Sequence, residues 1–402
     1  MTITEKKNEG IGQAIVQKIK HRILREYFRD HSYRKKNAVD DLVISDVFTF
    51  SDQWKETFLK AMRHNLEHHV RNSEFFRKTC AAKKFEKRLA SFDEIWDIPF
   101  IMCDVFKHYD IETKTGDLFR TGLISTGTSG KRSKITLDTI SSQRILASAY
   151  YIYKSLGLAS EKQPVNYIMM AYNPDFDDNI GTTNSDVVIS YFTQRRSVFF
   201  ALGKGREGKL SFLKDETIEM LREFVKEGLP VRILGFLHHT CETVKAYNKR
   251  YGKLEFPDGS CVLTGGGWKE FTMSCGKDFD PFAFLKENST IDPRNVRDMY
   301  SLSEHPVFYL ECELHNKHVP NVALACIRDP RTLERLPYGR TGLIHLYTPL
   351  MEAAPLISIL TTDYGVMGEA CPCGKGPYIK ILGRAGLTKK TTCSLTADQF
   401  IR

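Results

Sequence analysis

One short segment of the chain combines the residue types that bind nucleotide phosphates. It consists of Ser125, Thr126, Gly127, Thr128, Ser129, Gly130 and Lys131, directly after an apolar Leu-Ile pair. Small residues let backbone N–H groups approach phosphate oxygens, hydroxyls donate hydrogen bonds and a lysine supplies positive charge. The glycine spacing is not that of the G-x-x-x-x-G-K-[ST] loop. Considered alone, the segment is more typical of a flexible Ser/Gly turn, so other motifs must support a phosphate loop.

A second segment could bind a metal ion. Cys371-Pro372-Cys373-Gly374 places two thiols in a tight turn, as structural zinc sites do for two of their four ligands. Cys312 and His318 would supply the other two, although His305 and His315 compete with His318 for the fourth position. The alternative is a redox-inert surface pair of thiols, because Cys-x-Cys is shorter than the usual ligand spacing. Four protein ligands leave no open position for water, so such a zinc ion would be structural.

Composition excludes several classes of protein. The 58 Lys and Arg against 49 Asp and Glu give a net charge of +9, with many basic residues among the first ninety. No aromatic or groove-reading motif accompanies that charge, so a solvated helical face is favoured over a nucleic-acid surface. No signal-peptide pattern and no apolar run of about 20 residues occurs, which predicts a cytoplasmic protein without a membrane span. The ten cysteines are mostly scattered, so we expect reduced thiols.

The elements that must position these residues can be predicted from apolar periodicity. The first ninety residues are predicted to be largely helical, with one helix near 54–71. Further helices are predicted at 139–156, 217–226 and 241–250, and strands at 165–171, 187–192, 231–236 and 261–263. Strands that alternate with helices indicate an α/β fold whose parallel or mixed sheet is covered on both faces.

Five motifs occur in the order seen in adenylate-forming enzymes, and together they carry a resemblance to that superfamily. They are the loop at 125–131, Thr264-Gly265-Gly266-Gly267, Tyr300-Ser301-Leu302-Ser303-Glu304, Thr362-Asp363-Tyr364-Gly365 and Gly383-Arg384. The superfamily includes acyl-CoA synthetases and peptide-synthetase adenylation domains. The resemblance implies its large N-terminal domain, with a smaller β-rich subdomain, and implies ATP and Mg²⁺ as cofactors.

The resemblance also implies a nucleotide site. The backbone of Gly265, Gly266 and Gly267 would lie against the adenine, and the ring of Tyr300 would stack on it. Asp363 would accept hydrogen bonds from both ribose hydroxyls. These roles come from the superfamily motifs, since each residue alone is equally typical of a turn, a core tyrosine or a surface carboxylate.

The remaining motif residues are implied to act on the phosphates. Ser303 would donate to a phosphate oxygen, and Glu304 would coordinate Mg²⁺, a cation that prefers carboxylate and phosphate oxygens. Lys131 would act as a catalytic cation, and Arg384 would lie at the hinge. A substrate carboxylate would attack the α-phosphorus of ATP, so these groups would screen the approach of two anions.

Phenylacetate-CoA-ligase-like members of the superfamily resemble this chain in the metal motif as well. They carry a Cys/His pair after the Ser-Glu motif and a Cys-x-Cys-Gly before the hinge. This favours a structural zinc site of Cys312, His318, Cys371 and Cys373.

The chain is further similar to the acyl-protein synthetases of bacterial luminescence systems, the LuxE-type family. The similarity is carried by five segments, at 97–107, 125–134, 264–269, 317–320 and 393–396. Only 18 residues follow Arg384, so the mobile C-terminal domain of larger relatives is expected to be absent or vestigial. The predicted organisation is therefore a helical region at 1–95, an adenylate-forming core at 96–384 with its β-rich part at about 306–384, and a tail at 385–402.

This family resemblance predicts the second half of the reaction. A tail cysteine, Cys393, would accept the acyl group of a fatty acid as a thioester and pass it to a LuxC-like acyl reductase partner. Lys389 and Lys390 would favour the nucleophilic thiolate. Two alternatives are a carboxylate–CoA ligase, which would not need Cys393, and a nucleotide-binding protein that has lost turnover.

Overall fold

The computed structural model describes residues 37–86, 88–117, 121–124, 133–172, 187–204, 210–265 and 280–384. Helices and strands alternate through much of this part of the chain, and most strands belong to two large sheets. Within the described ranges, no helix has both the length and the apolar character needed to cross a membrane. The first 36 residues of the predicted helical region and the tail with Cys393 lie outside the described residues.

The helices lie where local sequence favours them. The α-helices are α1 (Ala38–Ile44), α2 (Asp52–Asn72), α3 (Glu74–Ala82), α4 (Thr139–Ser155), α5 (Lys214–Glu227), α6 (Leu237–Tyr251) and α7 (Pro281–Asn288). Among the described residues, 3-10 helices span Phe92–Asp97, Cys103–Lys107 and Pro293–Asn295. The side chain of Ser51 accepts the Trp54 N–H at the start of α2, and Asp138 accepts the Ser141 N–H at α4. Such caps satisfy backbone donors that have no partner within the helix.

The first sheet is largely parallel, and its strands lie in the order β10-β9-β8-β7-β4-β5-β6. The strands are β4 (Ser160–Tyr172), β5 (Thr193–Lys204), β6 (Leu210–Phe212), β7 (Val231–Gly235), β8 (Cys261–Gly265), β9 (Val296–Leu302) and β10 (His305–Leu310). Only the two edge strands, β6 and β10, are antiparallel to their neighbours. Gly265 and Leu302 therefore end adjacent parallel strands at one edge, where open α/β sheets bind ligands.

The second sheet is mostly antiparallel, in the order β11-β16-β15-β14-β12-β13. Its strands are β11 (Lys317–His318), β12 (Leu324–Arg328), β13 (Arg335–Leu336), β14 (Thr341–Tyr347), β15 (Ser358–Gly368) and β16 (Tyr378–Arg384). The short β1 (Ile101–Met102) pairs in parallel with β15. A separate antiparallel hairpin joins β2 (Thr121–Ile124) and β3 (Lys134–Leu137), so the predicted phosphate loop connects its two strands.

Alternate side chains of the first sheet enter two different cores. On β4, Tyr167 and Met169 pack with α4 residues such as Tyr153, whereas Ile168 and Met170 pack with residues of α5, α6 and α7. Both faces of the sheet are therefore covered, which explains continuous apolar runs such as 167–172 on β4. This arrangement confirms the predicted α/β class.

The prediction of a strand at 187–192 is wrong. Residues 187–190 are helical, and β5 begins only at Thr193. The backbone N–H groups of Tyr191 and Phe192 donate to the carbonyls of Val188 and Ile189, three residues earlier. Most of the run is apolar because it packs into the α4 side of the sheet. A short buried apolar run has no period that separates a strand from a helical turn.

A buried histidine should make the fold sensitive to acid. His69 on α2 is completely buried, with Nδ1 2.8 Å from Thr113 Oγ1 and Nε2 3.1 Å from the Met351 carbonyl oxygen. Burial, with a smaller effect of neighbouring His68, lowers the pKa of His69 to about 3 from its ordinary 6.5. The stabilisation is thus fully present above pH 6.5 and is lost as pH falls towards 3, by up to about 1.4 kcal/mol per pH unit.

We expect urea-unfolding midpoints measured between pH 7.5 and pH 5.0 to show this loss. The variant His69→Gln should be less stable at pH 7.5 but should lose less stability on acidification than the wild type. Equal pH slopes for the two proteins would contradict the assignment.

Candidate functional site

The hairpin between β9 and β10 presents two of the predicted site residues. Ser303 and Glu304 form its two-residue turn, and Leu302 pairs with His305 across it. The Glu304 side chain is 5 % exposed and accepts a hydrogen bond from Ser133 Oγ. Burial raises the pKa of Glu304. A buried carboxylate at the carboxyl edge of a parallel sheet is suited to binding a cation, which offsets the cost of its charge.

Ser133, the residue that follows the predicted phosphate loop in sequence, contacts this carboxylate. Residues 125–132, including Lys131, lie outside the described part of the chain. Ser133 follows them directly, and Ile124 pairs with Lys134 in the β2–β3 hairpin. The hydrogen bond from Ser133 to Glu304 therefore joins the end of the predicted loop to the predicted magnesium ligand. Ser133 was not among the predicted site residues, although it lies within the segment 125–134 that carries the family resemblance.

Three further predicted residues form one hydrogen-bonded group between the two sheets. Tyr300 Oη donates to Asp363 Oδ2 at 2.8 Å, and Arg384 Nε donates to Asp363 Oδ1 at 3.1 Å. Asp363 on β15 and Arg384 on β16 are direct partners in the register of the second sheet. Burial, followed by the charge of Asp363, raises the pKa of Tyr300 well above its usual range, so its hydroxyl stays protonated as a donor. The group fixes the Asp363 carboxylate in orientation.

Gly265 ends β8 beside these residues, opposite Met299 in the register. A Cβ added to Gly265 would meet only ordinary contacts, at 3.5 Å from Met299 Cε and 3.7 Å from the Met299 carbonyl oxygen. The described neighbours therefore do not require glycine at this position, whereas close approach of a ligand to the backbone would. Gly266 and Gly267 lie outside the described residues.

The four predicted metal ligands converge. The ligand atoms of Cys312, His318, Cys371 and Cys373 all lie within 4.8 Å of one another. Cys312 Sγ lies 3.9 Å from Cys371 Sγ, and Cys373 Sγ lies 3.2 Å from His318 Nε2. Tetrahedral zinc with bonds of about 2.3 Å to sulfur places two sulfurs about 3.8 Å apart, so the donor set fits this ion.

Two segments far apart in the chain supply these ligands. Cys371 and Cys373 lie in the turn between β15 and β16, and Cys312 and His318 lie in the segment that leads from β10 into β11. Asn316 Nδ2 donates to Cys371 Sγ at 3.3 Å, a contact that favours a thiolate. The Cys/His group thus connects β15 and β16, which carry Asp363 and Arg384, to the β9–β10 hairpin, which carries Tyr300 and Glu304.

Of the three competing histidines, only His318 has a ring nitrogen among the cysteine sulfurs of this group. His305 Nε2 lies 2.8 Å from Tyr309 Oη, and His315 Nδ1 lies 3.4 Å from Glu311 Oε2. Sequence spacing alone left this choice open. The pairing of β11 with β16, in which His318 lies opposite Tyr378, places it beside the Cys-Pro-Cys turn.

We expect the purified protein to contain about one equivalent of zinc. The variant Cys371→Ser should lose the metal and unfold roughly 5 °C lower, as expected for a loss of about 3 kcal/mol in a chain of this length. The matched control is Cys80→Ser, because Cys80 is an equally buried thiol on α3 outside the group. It should keep the metal. Metal analysis that finds well under one equivalent in the wild type would rule the site out.

The fold defines the class of protein. The structure matches 2-hydroxyisobutyryl-CoA ligase, solved with 2-HIB-AMP in the postadenylation state, with a TM-score of 0.61 and 14 % sequence identity over 85 % of this chain and 70 % of that chain. The chain therefore has the fold of adenylate-forming ligases, as its motifs predicted.

The family is more specific than the fold. Residues 29–401 match the family model described as "Acyl-protein synthetase, LuxE", and the chain belongs to this family. It is 26 % identical to the long-chain-fatty-acid–luciferin-component ligase of Aliivibrio fischeri, over 92 % of this chain and 98 % of the relative. Identity to the ligase of the same name from Vibrio harveyi is 23 %, over 90 % and 93 % of the two chains. The predicted family and the prediction of a ligase are both confirmed, and fold and family together support acyl activation by ATP.

Proposed function

We propose that this chain uses Mg-ATP to convert a long-chain fatty acid into an acyl-adenylate, and that the thiol of Cys393 then accepts the acyl group. The observation that carries the proposal is that Tyr300 and Glu304 lie at the carboxyl edge of the first sheet, where Tyr300 donates a hydrogen bond to Asp363 of the second sheet. The names of the two ligase relatives supply the class of acid.

In the first step, an oxygen of the substrate carboxylate attacks the α-phosphorus of ATP. The bond from that phosphorus to the bridging oxygen of pyrophosphate breaks, which gives acyl-AMP and pyrophosphate. Lys131 and the backbone and hydroxyl donors of residues 125–130 would stabilise the charge that builds up on the phosphates. Glu304 would hold Mg²⁺, which supplies further positive charge at the phosphate oxygens. Ser303, next to Glu304 in the turn, would donate to a phosphate.

The nucleoside would be bound by the group between the two sheets. Asp363 would accept the ribose hydroxyls, since a carboxylate oxygen has more than one lone pair and can keep its protein donor at the same time. Tyr300 and Arg384 donate to Asp363 and so hold its carboxylate in place before the nucleotide arrives. Preformed geometry of this kind lowers the ordering cost of binding.

In the second step, the Cys393 thiolate attacks the acyl carbonyl carbon and AMP leaves. A thioester forms, and the mixed anhydride between acyl group and phosphate is broken. Lys389 and Lys390, which shortly precede Cys393 in sequence, would favour the thiolate, the reactive form of cysteine. The thioester would then be delivered to an acyl reductase partner. Zinc held by the Cys/His group has a structural part in this scheme, because four protein ligands leave no position for substrate.

The test uses the full chain, Mg-ATP and an alkyne-tagged fatty acid without CoA. We expect acid-dependent exchange of labelled pyrophosphate into ATP, and protein-bound label that hydroxylamine releases. Exchange without protein-bound label, with AMP release that requires CoA, would instead identify a carboxylate–CoA ligase. Absence of exchange with any chain length tested would leave a nucleotide-binding protein without turnover.

A further inference from the structure

A short 3-10 helix brings residues from a distant part of the chain to the candidate nucleotide site. β1 runs parallel to β15, with Met102 opposite Leu360, so the chain leaves β1 towards Asp363. The helix Cys103–Lys107 follows at once and contacts both β15 and β3. Because β15 carries Asp363 and Ser133 immediately precedes β3, the helix lies beside both halves of the site.

The two ends of this helix are close to different site residues. Cys103, at its start, is buried beside Thr362, and burial followed by the charge of Glu304 raises the pKa of Cys103 to about 12. Lys107, at its end, is close enough for its charge to oppose the burial-induced rise in the pKa of Glu304. Lys107 is therefore on the side of the site where the predicted magnesium ligand lies.

Lys107 is more buried than its ion-pair partner. Its side chain is 18 % exposed, whereas that of Asp104 is 48 % exposed, and Lys107 Nζ lies 2.5 Å from Asp104 Oδ1. A half-exposed carboxylate compensates a largely buried ammonium group only in part, because solvent screens it. An incoming anion on the buried side of Lys107 could therefore replace the Asp104 carboxylate as the partner of the ammonium group.

Lys131 and Mg²⁺ are proposed to offset part of the negative charge at the phosphates, and Lys107 would add a further cation there. Arg384 already donates to Asp363, on the proposed ribose side. On the phosphate side, the buried Glu304 adds negative charge where the polyphosphate of ATP would bring several more. Negative charges brought together in a partly buried site repel one another strongly unless cations lie between them.

We propose that Lys107 binds the β- and γ-phosphates of ATP, and that its ammonium group exchanges Asp104 for a phosphate oxygen when ATP enters. The proposal rests on the proposed function. Asp104 then holds Lys107 in place while the site is empty, and the ion pair between them forms again when pyrophosphate leaves. No bond is made or broken in the exchange.

Calorimetric titration with Mg-ATP and with AMP, in the absence of fatty acid, tests this. Lys107→Met should weaken Mg-ATP binding about tenfold to a hundredfold, the effect of removing one charge-assisted contact. Binding of AMP, which lacks the β- and γ-phosphates, should change by less than about threefold. Asp104→Asn should leave Mg-ATP binding unchanged or tighten it.

Lys55→Met is the matched control, since Lys55 forms the same (i, i+3) pair with Asp52 at 3.0 Å, on the exposed face of α2. It should change neither affinity. If Lys107→Met does not fold, Lys107→Gln keeps the test open, and melting temperatures show whether each variant is folded. Equal loss of Mg-ATP and AMP binding, or no loss of either, overturns the proposal. A wild type that binds neither nucleotide would overturn the proposed function itself.

Discussion

The variant Cys393→Ser should retain pyrophosphate exchange within about twofold of the wild type but lose hydroxylamine-labile acyl label by at least about a hundredfold. Adenylate formation needs only the acid, Mg-ATP and the groups around Glu304 and Asp363, so it should not depend on this thiol. Thioester formation does depend on it. A serine hydroxyl remains protonated near neutral pH and is a far weaker nucleophile than a thiolate unless a base activates it.

The sharpest control for this result is Cys103→Ser. Cys103 is the thiol that lies beside Glu304 and Asp363, so it is the obvious competing acceptor in the described part of the chain. Its raised pKa keeps it as a thiol, and it is 6 % exposed, so we expect Cys103→Ser to label normally. Label that survives in Cys393→Ser and disappears in Cys103→Ser would reverse the assignment. Label lost in neither variant would point to another acceptor.

The variant Glu304→Gln should lower acid-dependent pyrophosphate exchange by about a hundredfold to a thousandfold, as loss of one preorganised electrostatic contact does in other enzymes. Glutamine has the same size, and its amide oxygen can still accept the hydrogen bond from Ser133. The fold should therefore be kept while the negative charge that would bind Mg²⁺ is lost. Protein-bound label should fall with exchange, because no adenylate is available to the thiol.

The matched control for Glu304 is Glu112→Gln. Glu112 Oε1 accepts a hydrogen bond from Thr136 Oγ1 on β3 at 2.6 Å, which repeats the Ser133–Glu304 contact at an exposed position. This control should exchange at the wild-type rate. Exchange by Glu304→Gln within about threefold of the wild type, at limiting Mg²⁺, would exclude Glu304 as the magnesium ligand.

The two variants separate the two half-reactions. Loss of label with exchange intact defines an acceptor, and loss of both defines the adenylation site. If Cys393→Ser lost exchange as well, the tail would have to take part in adenylation, and the simple order of two steps would be wrong. The predictions therefore test the residues and the order of events together.

Much of the candidate site could be predicted from the sequence because each of its motifs consists of neighbouring residues. The turn Ser303–Glu304, the Cys-Pro-Cys segment and the loop at 125–131 are each read from neighbouring residues. The order of the five superfamily motifs along the chain indicated the adenylate-forming fold, and strings such as 264–269 indicated the family. Helices with clear periodicity, such as α4, were also predicted almost to their ends. Local pattern was enough for these features.

The tertiary structure decided what depends on pairing between distant strands. It chose His318 over His305 and His315, because only β11 pairs beside the Cys-Pro-Cys turn. It joined Tyr300 to Asp363 across two sheets, 63 residues apart in sequence, and it brought Ser133 to Glu304.

The prediction of a strand at 187–192 was wrong for a related reason. The run is buried against α4 side chains, and a buried apolar run of this length looks the same in sequence whether it forms a strand or a helical turn. The helix that carries Lys107 had no nucleotide motif at all, and only the parallel pairing of β1 with β15 placed it at the site. Sequence fixes residue types and local periods, whereas register and sheet order depend on contacts that close long loops. Those contacts determine which of several chemically suitable residues meet.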